Sequence, residues 1–223
     1  MKLIGFGCSF TYGSELLNPE LEQTWDQQIE NIKYRENKVW LGVLAKRLGL
    51  EADNYSQPAC SNYAIQEIFA EWFNSRDVQE SVTVVIGWTN HMRNSWWHQE
   101  QGWIHDGFIR NQGQELFKDS FRDWLKYSAK RNERVTNNAK LFVNSVCKSH
   151  NIPIIQFNAL ANVTNSYQLS NYHQGNQNMK QVLESEGARL GKTFLADGGH
   201  PNESGHEYYV EMLYSWIKAK NIV

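Results

Sequence analysis

Cysteine is scarce in this chain. Cys8, Cys60 and Cys147 are the only three, an odd number with no Cys-x-x-Cys pair, which argues against a disulfide framework and a zinc knuckle. Charge of one sign is missing as well. The 22 Lys and Arg nearly balance the 24 Asp and Glu, for a formal net charge of -2. Such a surface has neither the basic footprint of a nucleic-acid binder nor a pull toward anionic membranes. No apolar run approaches the roughly 20 residues of a membrane span. The short apolar stretch after Lys2 is too brief for a signal peptide and reads as a first strand, so a cytoplasmic product is expected. Repeats and linkers are absent, and 223 residues suit one α/β domain, here residues 1–223, better than two. A dinucleotide loop is also excluded: Phe10 stands where the third glycine of Gly-x-Gly-x-x-Gly would belong after Gly5-Phe6-Gly7.

Strands alternating with helices are what the chain does contain. Residues 3–6 read as a buried strand and 81–87, β-branched throughout, as a central one. Residues 54–56 and 152–157 are further strands. Apolar spacing at Trp40, Leu44 and Leu48 predicts a helix over 39–48, closed by Gly49. Ser61 or Asn62 is placed to cap a helix over 63–73. One or two long helices are expected over 119–150, a short one over 179–190 and a last one over 203–220. Residues 14–38 are polar with no clear period, 88–113 irregular and aromatic, and 166–177 an Asn/Gln/Tyr-rich loop. This alternation predicts an α/β fold of three layers, a mostly parallel sheet with helices on both faces. Ligands of such sheets sit beyond the carboxyl ends of the strands, which puts Ser9, Ala59, Thr89 or Asn90, and Asn158 at one rim.

Two short segments carry the chemistry. Ser9 lies in Gly7-Cys8-Ser9-Phe10-Thr11-Tyr12-Gly13, on a strand-to-helix turn directly after the first strand. Asp197-Gly198-Gly199-His200-Pro201-Asn202 lies near the other end, a histidine with a carboxylate three residues upstream. A serine nucleophile, a histidine base and an orienting carboxylate are the parts of an acyl-transfer site. Each half alone has a bland reading, since the first could be a plain turn and Asp before two glycines is a favoured turn residue.

The two segments, with two others between them, resemble the motif blocks of the SGNH (GDSL-type esterase/lipase) hydrolases, over nearly the whole chain. The resemblance implies a flavodoxin-like domain and a carboxylic ester hydrolase with Ser9 as nucleophile, His200 as base and Asp197 as its partner. Cys8 stands where the family has aspartate. In the second block, Asn54 to Asn62, Ala59 replaces the usual glycine whose N–H serves the oxyanion hole, a role alanine keeps if its φ is not required to be positive. In the third block, Ile86-Gly87-Trp88-Thr89-Asn90-His91, a gapless match puts the oxyanion asparagine at Thr89. A one-residue slip puts it at Asn90, whose amide can donate. The implied oxyanion hole is therefore Ser9, Ala59 and Asn90, with Thr89 as alternative, and no cofactor or metal is implied. The implied substrates are small-molecule acyl esters, O-acetyl groups on carbohydrate among them. A lipid or thioester acyl hydrolase is the alternative enzyme, and a binding or structural protein that kept the fold the alternative class.

Cys8 is expected to be a packing residue rather than a nucleophile. His91, His98 and His105 recur every seven residues without a helical pattern, a poor basis for a metal site. His206 is expected on exposed first turns of the last helix. Trp88, Arg93, Trp96 and Trp97 read either as an aromatic minicore or as a substrate platform over the rim.

Overall fold

The computed structural model describes residues 1–21, 29–77, 79–100, 102–105, 118–162, 169–173 and 177–223. In chain order its elements are β1 (Lys2–Gly7), α1 (Ser9–Tyr12), α2 (Ile29–Lys38), α3 (Trp40–Leu48), β2 (Glu51–Asn54), α4 (Asn62–Ser75), β3 (Val82–Trp88), β4 (Ser95–His98), β5 (Gly102–His105), α5 (Lys118–Ser149), β6 (Ile154–Asn158), β7 (Tyr172–His173), α6 (Met179–Leu190) and α7 (Glu203–Lys220). Five strands form one parallel sheet in the order β2-β1-β3-β6-β7, and β4 and β5 form a separate antiparallel hairpin.

Alternation along β1 shows how the layers form. Gly5 faces α3 so closely that a Cβ there would lie 2.3 Å from Leu41 Cδ2. Its neighbour Phe6 points to the other face, edge-on to Phe69 and Trp72 of α4. Helix α3 packs against α7 on the first face and α4 against α5 on the second. Strand β3, buried along its whole length, is the apolar centre that covering both faces requires. The expected three-layer α/β fold with a parallel sheet is the fold observed.

Several elements differ from the sequence expectation for visible reasons. The second strand is Glu51–Asn54 rather than 54–56, an edge strand with no apolar signal whose Asp53 pairs with Lys2 at 2.7 Å. Helix α2 lies within 14–38, and its buried residues are Asn31 and Arg35, so apolar periodicity could not reveal it. Residues 88–113 hold the hairpin; 106–113 lie outside the described residues. Part of the loop 166–177 is strand β7, while 166–168 and 174–176 lie outside them. The long helical stretch is one helix, α5.

The last helix carries a further correction. His206 is fully buried, because Gly205 beside it packs against the Phe194 carbonyl at a distance no side chain would allow. His206 Nδ1 accepts the Trp40 N–H at 3.2 Å. That contact satisfies an orphan donor at the start of α3, whose N-cap Val39 has no capping side chain. No described helix is long and apolar enough to cross a membrane.

Candidate active site

Strand register brings the three N-terminal blocks together. Gly7 of β1 pairs with Gly87 of β3, so Ser9 and Thr89, two residues beyond each, leave the sheet at the same height. The second block continues past the end of β2 alongside β1, with Tyr55 and Gln57 N–H donating to Gly5 and Gly7 carbonyls at 2.9 and 3.2 Å. Glycine at 7 and 87 leaves room for Thr11: a Cβ at either position would sit 2.2 or 2.6 Å from its Oγ1. Asn54 Nδ2 donates to the Thr11 carbonyl at 2.7 Å. The short helix carrying Ser9 is thus clamped between strand ends.

His200 arrives from the far end of the chain on a tight turn in which Ala196 N–H donates to the His200 carbonyl at 2.8 Å. Its ring lies 5.6 Å from that of Phe10, centroid to centroid, which sets it beside the Ser9 helix. Nδ1 meets Glu15 Oε2 at 2.6 Å. The same carboxylate accepts from the N–H groups of Gly198 at 2.8 Å and His200 at 3.2 Å. Asp197, the expected partner, is exposed and makes no hydrogen bond to His200. The reason is geometric. The turn directs the Gly198 and His200 N–H groups toward Glu15, and a Cβ on Gly198 would lie 2.4 Å from Glu15 Oε1. Burial raises the Glu15 carboxyl pKa, but the hydrogen bonds from the His200 ring and from these N–H groups outweigh it and hold the group below its ordinary value.

Sequence spacing did not point to Glu15. It sits just after Gly13 with a left-handed φ of 69°, in a stretch without periodicity. Helix α2 braces that stretch: the Arg35 guanidinium stacks 3.9 Å over the Tyr12 ring. Tyr34 and Lys38 of α2 both reach Glu203 at the start of α7, Lys38 Nζ at 2.6 Å. One helix therefore supports both the Glu15 segment and the segment just after His200.

Ser9 is buried, and its Oγ meets no hydrogen-bond partner, His200 Nε2 included, among the described residues. No backbone acceptor among those residues meets the N–H of Ser9 or of Ala59. Ala59 has a φ of 59°; the position does demand the left-handed region, and alanine occupies it under strain. Thr89 is fully buried, its N–H and carbonyl held by the Asn62 amide at 2.8 and 3.0 Å. Asn62 performs this clamp, while Ser61 caps α4. Asn90 is half-buried, and its Oδ1 accepts from Met92 N–H at 2.8 Å, which leaves its amide NH2 group to donate outward.

The aromatic segment is anchored to the second block by a directed chain. Ser61 N–H donates to Ser95 Oγ at 3.0 Å, which lies 2.7 Å from His105 Nδ1, and His105 Nε2 lies 3.1 Å from Gln57 Oε1. This pattern fits a neutral ring with its proton on Nε2. Burial, helped by the charge of Arg93, lowers the His105 pKa to about 4. Trp97 is 60% exposed and packs edge-on to Trp103, which meets Tyr63 in the same way. Trp88 is not part of this surface: it is fully buried and donates to Gln156 Oε1 at 3.1 Å, a core residue and not a platform. Trp96 pairs with Ile104 in the hairpin; its side chain lies outside the described residues. All three cysteines are buried, and burial pushes the Cys60 thiol far up and the Cys147 thiol up to about 12. Among the described residues no cluster of three or more His, Cys, Asp or Glu is placed to hold a metal ion.

No family model and no curated protein matches the chain. Solved structures do. They include a member of the lipolytic protein G-D-S-L family from Veillonella parvula DSM 2008, at 14% identity over 93% of this chain and 92% of that one, with a TM-score of 0.40. The psychrotrophic esterase EstA from Pseudoalteromonas sp. matches at 9% identity over 98% and 97%, with a TM-score of 0.44. A family two carbohydrate esterase from Clostridium thermocellum, in complex with cellohexaose, matches at 15% identity over 99% of this chain and 64% of that one, with a TM-score of 0.47. Each of the three bears the name of a lipolytic protein or an esterase.

Proposed function

We propose that the chain is a serine hydrolase of small acyl esters, with Ser9 as nucleophile, His200 as base and Glu15, in place of Asp197, as the orienting carboxylate. The observation that carries this reading is the 2.6 Å contact between Glu15 and His200 Nδ1, on an imidazole packed beside the serine's own helix. A carboxylate on Nδ1 fixes the tautomer whose Nε2 is free to accept a proton. Ser9 Oγ turns about χ1 toward Nε2 when substrate is bound, since catalytic hydrogen bonds often tighten only in the complex.

In the reaction, Ser9 Oγ attacks the ester carbonyl carbon while its proton passes to His200 Nε2. The imidazolium, stabilised by Glu15, then protonates the leaving alkoxide. The N–H groups of Ser9 and Ala59 and the amide of Asn90 hold the developing oxyanion. Water, deprotonated by the same imidazole, releases the acid and restores Ser9.

Hydrolysis of p-nitrophenyl acetate and butyrate by wild type, Ser9→Ala and His200→Ala tests the reading. The expected outcome is activity in wild type that both substitutions abolish. Folded wild type that leaves these esters and O-acetylated sugars intact would instead favour a binding protein using the exposed Trp97 surface.

A further inference from the structure

Beside the proposed oxyanion segments lies a cavity of about 360 Å3 whose lining includes His91, Arg93, Asn94, Arg131, Asn62 and Thr136 and, among the described residues, no Asp or Glu. Arg93 and Arg131 thus line one space, and among the described residues no carboxylate lines it with them. Among the described residues neither arginine takes part in an ion pair. Arg93 Nη1 and His91 Nδ1 are cut off from solvent and meet no hydrogen-bond partner among the described residues. Buried polar atoms are normally satisfied, and an unpaired guanidinium nitrogen is costly to enclose. An oxyanion is the partner that a pair of arginines fits best, because each planar fork can give two parallel N–H···O bonds.

The cavity's position connects it to the reaction. Its wall residues Ser61 and His91 come two residues after Ala59 and one after Asn90. Chain geometry keeps Ser61 within about 7 Å of Ala59. The Arg93 charge is also felt by the Cys60 thiol, next to Ala59. A group held in this cavity thus lies alongside the place where the ester carbonyl would sit.

The geometry points to a subsite for an oxyanion on the substrate: the preferred esters carry a carboxylate, phosphate or sulfate group that Arg93 and Arg131 bind. This inference rests on the esterase reading above and narrows it to acidic substrates. The same surface bears Trp97, Trp103 and Tyr63, so the remainder of an acidic ester has an aromatic face to lie on.

The test compares kcat/KM on para-acetoxybenzoate with that on its neutral isostere para-acetoxybenzamide, in wild type, Arg93→Gln and Arg131→Gln. Para-acetoxyphenyl phosphate and sulfate serve as parallel arms that identify the preferred anion. Calorimetric titration with inorganic phosphate, inorganic sulfate and para-hydroxybenzoate reports binding without catalysis. Wild type is expected to favour the acidic ester, and either substitution to cut the acidic-to-neutral ratio about tenfold, the loss of one charge-assisted contact. A ratio the same in wild type and both variants overturns the subsite. Hydrolysis of both esters with no anion binding overturns it too, while leaving the esterase reading intact. Anion binding that the substitutions weaken, in a wild type that hydrolyses nothing, upholds the cavity and sinks the esterase reading. Exposed Arg131 supplies a variant that folds normally should Arg93→Gln fail to.

Discussion

At the scale of single residues, the site depends on two backbone positions that ordinary side chains avoid. Glu15 and Ala59 both hold left-handed φ values; the first turns its carboxylate onto His200, and the second carries the N–H proposed for the oxyanion. Exchanging Glu15 for glutamine removes the charge that stabilises the imidazolium, and kcat is expected to fall by about 10²- to 10⁴-fold. Asp197→Asn should leave kcat close to wild type, and steady-state kinetics of the two variants side by side decide between the two carboxylates. Ala59→Gly relieves about 1–2 kcal/mol of steric strain and costs about 0.5–1 kcal/mol of chain entropy. Urea denaturation should therefore show a net gain of up to about 1.5 kcal/mol. The sequence marked Ser9 and His200 as candidates through their local motifs, because a proposed nucleophile and base each have recognisable neighbours along the chain. It hid Glu15, because a carboxylate reaching across from another segment leaves no spacing to read.

Among elements, the least legible were those held by polar contacts. Strand β3 and helix α3 announced themselves through apolar patterns, α3 with its Gly49 cap as well, and α7 through its amphipathic spacing. Helix α2, which buries Asn31 and Arg35, and edge strand β2, which is nowhere fully buried, gave no such pattern. The hairpin β4–β5 was masked by its density of tryptophan, and a chain of hydrogen bonds through Ser95 and His105 ties it to the second block. Asn62 plays the same connecting role between α4 and the end of β3. Its single amide serves both Thr89 backbone groups and also donates to Thr136 Oγ1 at 3.1 Å. Asn62→Ala should destabilise the protein by about 2–4 kcal/mol, since the truncation leaves buried backbone groups unsatisfied. Activity should drop alongside, because Asn90 loses its fixed neighbour. Thermal melting and kcat/KM measured on one preparation check both expectations.

For the molecule as a whole, acid is the expected weakness. Burial, with a contribution from the His200 charge, lowers the His206 pKa to about 3, and His105 lies at about 4. An unfolded histidine takes up a proton near pH 6.5, so below about that pH the unfolded chain binds protons that the native state refuses. The stability these two residues allow is whole above about pH 6.5 and falls as pH drops toward their folded values. Each contributes a slope of up to about 1.4 kcal/mol per pH unit. Between about pH 7 and pH 5.5 the urea-unfolding free energy should fall by roughly 2 kcal/mol. His206→Asn, which keeps an acceptor for Trp40 N–H, should make that fall shallower.

The distance along the chain between Ser9 and His200 also sets an order of events during synthesis. Strands β1, β2 and β3 are all made before residue 89, so the part of the sheet that carries Ser9 can pair while the rest of the chain is still being translated. The imidazole is delivered only with α7 and the turn before it, anchored through Glu203 to Tyr34 and Lys38. In the proposed mechanism, a nascent chain that has not reached this turn therefore carries Ser9 without its base. On that reading Ser9 is armed last, after the sheet that holds it has already formed.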